Sequence, residues 1–376
     1  ALTLLVGCTG NKGADHQTDE LITIDVTADY PEKELIMQDF MDVEYIPLDN
    51  SDEYITQGVV KAVGKNHIFV ANRNFDGDIF VFDRSGKGVK KINRKGNSGE
   101  EYNYMYNIVC DEKNQELFVT DLSQNKLFVY DFDGTYKRAL SYKESCKFIS
   151  IQNFDQDHLI CSNEYFSNDT TASPIHIISK QDGSIIATPD IRYGERKSAL
   201  MRMMNDDQNA AFVVLPSTLY PILSMGDDQI LLELSSDTVY RYSSDHRIKP
   251  FLVRTPSIQT MNPEVFLFTS LFTDKYYFME AVRKEYDFNL KKGFPSTNLV
   301  YDTNDKRIYT YKVYNDDFTT QDEVNLKSRP LGGDILSWQT LEAYKLIEAY
   351  EKGELKGRLK EIAATLNEDS NPVIML

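Results

Sequence analysis

The sequence predicts an all-β protein, a six-bladed β-propeller of four-stranded antiparallel blades. Three observations predict it: a hairpin unit that recurs along the 376 residues, a tight polar turn that closes its second half, and strand-like segments at both ends of the chain. The last blade is expected to combine N- and C-terminal strands, with short helices near the C-terminus.

The recurring unit is an apolar strand, a tight polar turn and a second apolar strand. It is clearest at 58–73 (GVVKAVGKNHIFVANR) and 105–122 (MYNIVCDEKNQELFVTDL), and it returns at 147–164, 219–236 and 266–283. Equivalent positions are 49, 42, 71 and 47 residues apart, which indicates one insertion. These positions are Val70, Val119, Cys161, Leu232 and Met279.

A second hairpin follows each unit. At 79–86 (IFVFDRSG) and 127–135 (LFVYDFDGT) an Asp-x-x-Gly turn reverses the chain, because glycine adopts a positive φ without strain. Each repeat therefore holds four antiparallel strands, named A to D from the inside outward. Its length of about 45 residues is typical of a propeller blade, and five complete blades are visible.

The sixth blade is predicted to form from both ends of the chain. Residues 43–48 (VEYIPL) precede the first unit as an outer strand D would, and 334–338 and 371–376 supply inner strands. This closure leaves no open sheet edge. Residues 21–26 (LITIDV) are a further strand candidate for the same blade.

Apolar residues at helical spacing predict a helical insert at about 339–366, between the two C-terminal strands. Thr340 is the expected N-cap, and Gly353 and Gly357 divide the insert into two helices. We interpret the apolar stripes as surfaces that pack on the propeller.

The first residues predict a cellular location. The apolar run ending in Leu5-Val6-Gly7-Cys8 resembles a bacterial lipobox, in which the cysteine is lipidated and becomes the N-terminus. The alternative is a piece of an ordinary signal peptide or a buried strand. The predicted organisation is a residual signal at 1–8, a polar tether at 9–20 and one propeller domain at 21–376, anchored to the outer membrane on its periplasmic side or at the cell surface.

Cysteines and histidines form no catalytic or metal-binding pattern. Cys110, Cys146 and Cys161 are predicted to be buried free thiols, because the expected hairpin register places Cys161 opposite Phe148 and only diagonal to Cys146. The five histidines are scattered, and no nucleophile elbow or phosphate-binding loop occurs. No cofactor is expected, although loop carboxylates leave a calcium ion in the channel open.

Composition excludes several function classes. The net charge of −17, from 41 Lys+Arg against 58 Asp+Glu, argues against a nucleic-acid partner. No apolar run reaches the roughly 20 residues of a membrane-spanning helix. A monomer is expected.

Loop lengths predict a binding face. In a four-stranded meander the B–C and D–A connections emerge on one side, here named the loop face, and these are the long ones. They carry 15 Lys+Arg and 18 Asp+Glu, a net of −3 against −14 for the remaining residues. The connections are 71–79, 94–104, 121–126, 162–174, 190–215, 254–265, 281–297 and 315–333.

Arginines and aromatic residues of these connections are the candidate ligand-binding residues, because they suit sugar rings, peptides and carboxylates. The alternative is that the aromatics wedge between blades and the arginines are solvated ion-pair partners. The candidates are Arg73, Phe75, Arg94, Tyr102, Tyr104, Tyr165, Arg192, Arg196, Arg202, Arg283, Tyr286 and Arg329.

The sequence resembles the six-bladed propeller lipoproteins of Bacteroides-type bacteria, whose folds are loosely similar to NHL-repeat propellers. The resemblance is carried by Cys8, 43–48, 79–86, the ending Asn371-Pro372-Val373, and 94–102 (RKGNSGEEY), which is similar to the Gly-rich RxGxGPGEY connection of that family. It implies a fold and a location, not a chemistry.

Two functions remain open at this point. One is a membrane-anchored binding or assembly module that holds a glycan, peptide or envelope protein with its loop face. The other is a propeller hydrolase or lyase that acts on a polysaccharide at the channel mouth. The second requires His, Tyr or a carboxylate pair to converge on one point of that face. A purely structural partner within an envelope complex is a third reading.

Overall fold

The computed structural model describes residues 21–73, 76–142, 146–163, 174–205 and 210–376. Six sheets form the blades of a closed propeller, which confirms the predicted fold class. The middle strands of a blade are buried on both faces because neighbouring blades cover them. All six residues of the second strand of blade two, Glu116–Asp121, are buried for this reason.

The strands of the first three blades follow one another as simple antiparallel meanders. Three strands precede them: β1 (Ile22–Asp25), β2 (Glu32–Ile36) and β3 (Tyr45–Pro47). Blade one is β4 (Val59–Val63), β5 (His67–Ala71), β6 (Asp78–Asp83) and β7 (Gly88–Asn93). Blade two is β8 (Met105–Asp111), β9 (Glu116–Asp121), β10 (Lys126–Asp131) and β11 (Tyr136–Ser141). Blade three is β12 (Phe148–Asn153), β13 (His158–Asn163), β14 (Ile175–Ser179) and β15 (Ile185–Ala187).

The later blades contain insertions. A separate hairpin, β16 (Met201–Asn205) and β17 (Ala210–Val214), precedes blade four. Blade four is β18 (Ile222–Met225), β19 (Asp228–Leu231), β20 (Thr238–Tyr242) and β21 (Ile248–Thr255). Blade five is β22 (Val265–Phe272), β23 (Tyr276–Arg283), β26 (Ser296–Asp302) and β27 (Arg307–Tyr314), with the small hairpin β24 (Tyr286–Asp287) and β25 (Lys292–Gly293) between its second and third strands.

The sixth blade closes the ring as predicted. Its strands are β28 (Gln339–Leu341), β29 (Val373–Met375) and β3, and Ile374 pairs with Ile46. Residues 325–329 take the innermost position without a regular backbone ladder. They are held by bonds such as Gln339 Nε2 to the Asn325 carbonyl at 2.6 Å.

The strand predicted at 334–338 is wrong, since the regular strand begins at Gln339. The preceding turn explains the difference. Pro330 offers no N–H to a ladder, and Gly332 and Gly333 adopt φ of +79° and +62°, which extended strands do not use.

The assignment of residues 21–26 to the sixth blade is also wrong. β1 pairs in parallel with β21 on the outside of blade four, and β2 pairs in parallel with β27 on the outside of blade five. The N-terminal segment 22–47, here named the belt, therefore adds one strand to each of the last three blades in turn. It covers edges that would otherwise be open.

Two short helices lie between β28 and β29, as expected: α1 (Ala343–Glu351) and α2 (Gly357–Ala363). Leu346, Leu359 and Ile362 pack into the core shared by blades five and six. Thr340 is not the N-cap, because it lies in β28 and its hydroxyl donates to the Gly58 carbonyl at 2.8 Å. Glu342 holds the cap position without a side-chain bond.

The three described cysteines are free, with Cys146 and Cys161 buried and Cys110 half-buried. The predicted register is wrong, because Cys161 faces Ile151 rather than Phe148. Burial raises the pKa of the Cys161 thiol well above its usual value. The thiolate, which is the reactive form, is therefore suppressed.

Candidate functional site

The exposed arginines of the loop face lie far apart and keep to local partners. The Arg73 side chain is 65% exposed and approaches Glu342 at 3.6 Å. Arg192 pairs with its neighbour Asp190 at 3.1 Å, and Arg283 approaches Glu285 at 3.6 Å. These three, here named the rim arginines, behave as solvated ion-pair partners, which contribute little energy.

Two candidates tie blades together, the buried Tyr102 and the exposed Arg94. Tyr102 is fully buried, contrary to the exposed position expected for it. Its hydroxyl donates to the Gly77 carbonyl at 2.6 Å. The Nε of Arg94 donates to the Gly134 carbonyl at 2.6 Å and so links blade one to blade two.

The remaining described candidates are scattered. The backbone N–H of Tyr104 donates to Asp121 at 3.2 Å, and Arg196 lies 6.0 Å from the ring of Tyr193. Arg202 is exposed on β16. Tyr286 packs against Phe288. Phe75, Tyr165 and the lipidation candidate Cys8 lie outside the described residues.

Arg329 differs from the other candidates in the described part of the chain because it reaches the central channel. Its guanidinium carbon lies 5.4 Å from the centre of the Tyr106 ring, on the inner strand of blade two. Burial lowers the pKa of Arg329 below its usual range, yet an arginine stays charged at neutral pH. The segment 325–329 thus delivers a cation to the axis of the ring.

Lys61, on the inner strand of blade one, is the second channel cation. Its Nζ donates to the Tyr106 carbonyl at 3.2 Å. Burial, reinforced by the charge of Arg329, lowers the pKa of Lys61 to about 8. The sequence signal was a single lysine at the centre of an apolar strand, GVVKAV, and the candidate set missed it.

A local irregularity aims both residues at the axis. The ladder between β4 and β5 shifts register between Val60 and Ala62, and the ladder between β8 and β9 shifts between Met105 and Asn107. Lys61 and Tyr106 are therefore the extra residues of two β-bulges. Bulges commonly redirect a side chain beside a binding site.

Tyr220 completes the group from the opposite side of the ring, just before the inner strand of blade four. Its hydroxyl donates to the Lys327 carbonyl at 3.4 Å. Its pKa is raised by burial and is influenced by the charge of Arg329 and by Tyr106. Lys61, Tyr106, Tyr220 and Arg329 form the channel cluster, and all four remain partly exposed to solvent.

A neighbouring acid is already neutralised. Glu280 is 4% exposed, and its Oε1 accepts from Lys327 at 2.6 Å. Its Oε2 accepts from the Thr218 hydroxyl at 2.8 Å. Both carboxylate oxygens are thus engaged, and Glu280 makes no ion pair with Lys61 or Arg329.

The channel cluster lies above a floor. The connection 330–336 leaves the inner segment of blade six, and a Cβ placed on Gly332 would lie 3.8 Å from Oε1 of Gln152 on the inner strand of blade three. In a ring of six, blade three stands opposite blade six, so this connection crosses the axis. Gln152 lies near the A–B turn of its blade. The floor is therefore on the side away from the loop face.

The described part of the chain holds no group of three or more His, Cys, Asp or Glu residues placed to bind a metal ion. Within the same residues, neither helix is long and apolar enough to cross a membrane. The channel cluster itself consists of two cations and two phenols.

The family model described as Domain of unknown function (DUF4934) matches residues 21–376. A search of curated proteins gives no match. The crystal structure of a "Putative exported protein" from Bacteroides fragilis NCTC 9343 aligns with a TM-score of 0.61 at 15% identity, over 94% of this chain and 98% of that chain. At this identity the likeness concerns the fold alone.

Two further structures are more distant. A member of the DUF4221 family from Bacteroides vulgatus ATCC 8482 aligns with a TM-score of 0.43 at 10% identity, over 72% of this chain and 84% of that chain. Virginiamycin B lyase from Staphylococcus aureus aligns with a TM-score of 0.35 at 12% identity, over 72% and 88%.

Proposed function

The chain belongs to the DUF4934 family, and we propose that it is an exported binding module of the cell envelope that takes a glycan or peptide ligand into its central channel from the loop face. One observation carries the proposal. Four polar side chains from blades one, two, four and six meet at the axis, partly exposed, above a connection that crosses the channel.

The channel supports binding better than the rim does. Ligand sites are concave and have a few convergent polar groups on rigid elements. The channel cluster has that character, because its members stand on or beside inner strands of the propeller. The rim arginines have local carboxylate partners and lie on separate connections.

Arrays of glycans and peptides, probed with the intact chain, test this assignment. We expect the double variant Tyr106→Ala/Tyr220→Ala to lose the binding that the native chain shows, because it removes two walls of the site. The matched control replaces the three rim arginines, Arg73, Arg192 and Arg283, by alanine and should retain that binding. Loss in the control with retention in the channel variant overturns the proposal.

The location belongs to the same proposal. The lipobox-like run before Cys8 supports a lipid anchor at the outer membrane, and a fold neighbour whose name describes it as exported agrees with an envelope protein. Expression in a bacterium with lipoprotein maturation should give an N-terminal peptide carrying the mass of acyl chains. Cys8→Ala should lack that mass. An unmodified native peptide excludes the anchor.

Polysaccharide β-elimination is a second candidate, favoured by one observation: Lys61 has an amine whose pKa is lowered to about 8, beside Arg329. In that reaction a base removes the proton α to a uronate carboxylate, the electron pair forms the C=C bond, and the glycosidic C–O bond breaks, its oxygen taking a proton. Ultraviolet absorbance of the unsaturated product would reveal it with a polyuronate substrate. No absorbance change, with retained binding, excludes the lyase.

A further inference from the structure

We propose that the channel cluster is an oxyanion receptor, in which Arg329 and Lys61 together hold a carboxylate, sulfate or phosphate group of the ligand. The inference deepens the proposed function and rests on it for the location of the site. It adds the chemical class that the site selects.

Neither cation of the channel cluster has an acidic partner in the described part of the chain. Among the described residues, no carboxylate pairs with Lys61 or Arg329, and the Arg329 guanidinium makes no hydrogen bond there. This is unusual in a chain with 58 acidic residues and a net charge of −17. Charged groups that are partly withdrawn from water are normally paired.

The two cations also repel each other. The charge of Arg329 contributes to the lowered pKa of Lys61, so the two cations are close enough to destabilise each other. A bound anion would offset this repulsion and stabilise the charged forms of both residues. An arrangement that is unfavourable when empty and favourable when occupied is typical of a preorganised binding site.

Three further blades contribute groups around the axis. Blade two contributes the neutral ring of Tyr106, and blade four contributes Tyr220, whose hydroxyl is directed to the Lys327 carbonyl. Blade five contributes Glu280, which is neutralised by Lys327. None of these groups offers a negative charge to Lys61 or Arg329, so the two cations suit an external oxyanion.

The hydrogen-bond donors of the two cations suit an oxyanion. A guanidinium presents parallel N–H donors that match the two oxygens of a carboxylate or a sulfate. Lys61 uses one of its three donors on the Tyr106 carbonyl and keeps two. The ring of Tyr106 holds the guanidinium plane from one side. The oxyanion would therefore lie between Nζ of Lys61 and the fork of Arg329.

Calorimetric titration of the intact chain with sodium sulfate, sodium phosphate and sodium glucuronate, at constant ionic strength in chloride, tests the inference. We expect at least one of them to bind at about pH 6.5, where Lys61 is protonated. Arg329→Met should weaken binding by about tenfold or more, the value of a charge-assisted hydrogen bond pair. The matched control Arg283→Met removes a rim arginine and should bind like the native chain.

Proton linkage gives an independent readout. Binding to the native chain should weaken between about pH 7 and about pH 9.5, because Lys61 loses its proton there, and Lys61→Met should bind more weakly with no such pH dependence. Sulfate or phosphate binding without glucuronate identifies a tetrahedral group, and the reverse identifies a sugar acid. No binding of any of the three, or equal binding by Arg329→Met, overturns the inference.

The two proposals fail in different ways. If the array binding is lost in the Tyr106→Ala/Tyr220→Ala variant but no small anion binds, the channel is the site and its ligand is not recognised through an oxyanion. If sulfate or glucuronate binds but the array binding is unaffected by channel variants, the receptor is present and the larger ligand binds elsewhere.

Discussion

The first three blades and the last three are held together by different means. Blades two and three meet through a buried polar hub. Lys180 is 2% exposed, and its Nζ donates to Asp111 at 2.7 Å and to the Asp155 carbonyl at 2.8 Å. Blades four and five are instead covered by the belt, and blade six is completed by it.

The two halves of the ring therefore depend on different strand pairings, which are local in sequence in the first half and long-range in the second. The first half of the ring follows from a repeat, because each blade there uses strands that are adjacent in the sequence. The second half depends on pairings such as Ile24 with Arg254, which are 230 residues apart. The channel cluster draws Lys61 and Tyr106 from one half and Tyr220 and Arg329 from the other, so binding requires both.

The largest expected effect breaks the polar hub of the first half. Lys180→Met leaves the buried carboxylate of Asp111 without its partner, and we expect a loss of about 3–5 kcal/mol in the free energy of unfolding. Urea titration followed by fluorescence measures it. Lys90→Met, which removes an exposed pair with Asp133 between blades one and two, should cost about 1 kcal/mol or less. Equal losses would contradict a special role for the hub.

The next effect concerns the seam where the ring closes. Asn371 is buried, its Nδ2 donates to the carbonyls of Asp49 and Tyr54 at 2.6 and 2.9 Å, and its Oδ1 accepts from the Thr56 N–H at 2.9 Å. Asn371→Ala leaves three backbone groups unsatisfied, and we expect it to cost about 2–4 kcal/mol. The control Asn66→Ala, at an exposed turn, should change stability by about 0.5 kcal/mol or less.

A third variant loosens the belt in the second half. Ile24 is fully buried against blade four, and Ile24→Ala should cost about 2 kcal/mol, the lower end for buried isoleucine because β1 is an outer strand. Hydrogen exchange should rise in β1 and β21 while blades one to three stay protected. The control is Leu21→Ala, at a residue 47% exposed, which should leave the free energy of unfolding and the hydrogen exchange unchanged. Exchange that rises evenly around the ring would refute the division.

The smallest expected effect concerns Lys61, a member of the channel cluster to which both halves of the ring contribute. The pKa of Lys61 is lowered from 10.5 to about 8, so between these values the unfolded chain binds more protons than the folded chain. Stability should therefore rise with pH across that window, by about 1–2 kcal/mol since water reaches the amine, and the penalty stays constant below it. Lys61→Met should remove the rise. A rise that persists in the variant assigns it to another group.

The ring and its closure could be predicted because both have local signals. The Asp-x-x-Gly turns at 83–86 and 131–134 mark hairpins, and Tyr45–Pro47 does pair with Val373–Met375 as the spacing indicated. The belt could not be predicted, because Ile22–Asp25 has the pattern of an ordinary short strand. Its sequence contains no signal that identifies β21 as its pairing partner. The start of β28 could not be predicted either, because the turn at 330–336 precedes it.

The channel cluster was mostly beyond sequence reasoning. Rim arginines are conspicuous in long connections, but which side chains converge at the axis depends on bulges at Lys61 and Tyr106 that shift register by one residue. Arg329 is in the set of candidate ligand-binding residues because it lies in a long connection. Lys61, Tyr106 and Tyr220 are not in that set. The candidate residues remain predictions as ligand contacts. Among those that the structure describes, Arg329 is the one that belongs to the channel cluster.

The belt has a consequence for orientation. β1 runs along the outer margin of blade four in the same direction as β21, which ends on the loop-face side. Leu21, at the start of β1, therefore lies at the perimeter of the propeller and on the side away from the loop face. A partner or anchor joined to the protein at this point would leave the mouth of the channel uncovered.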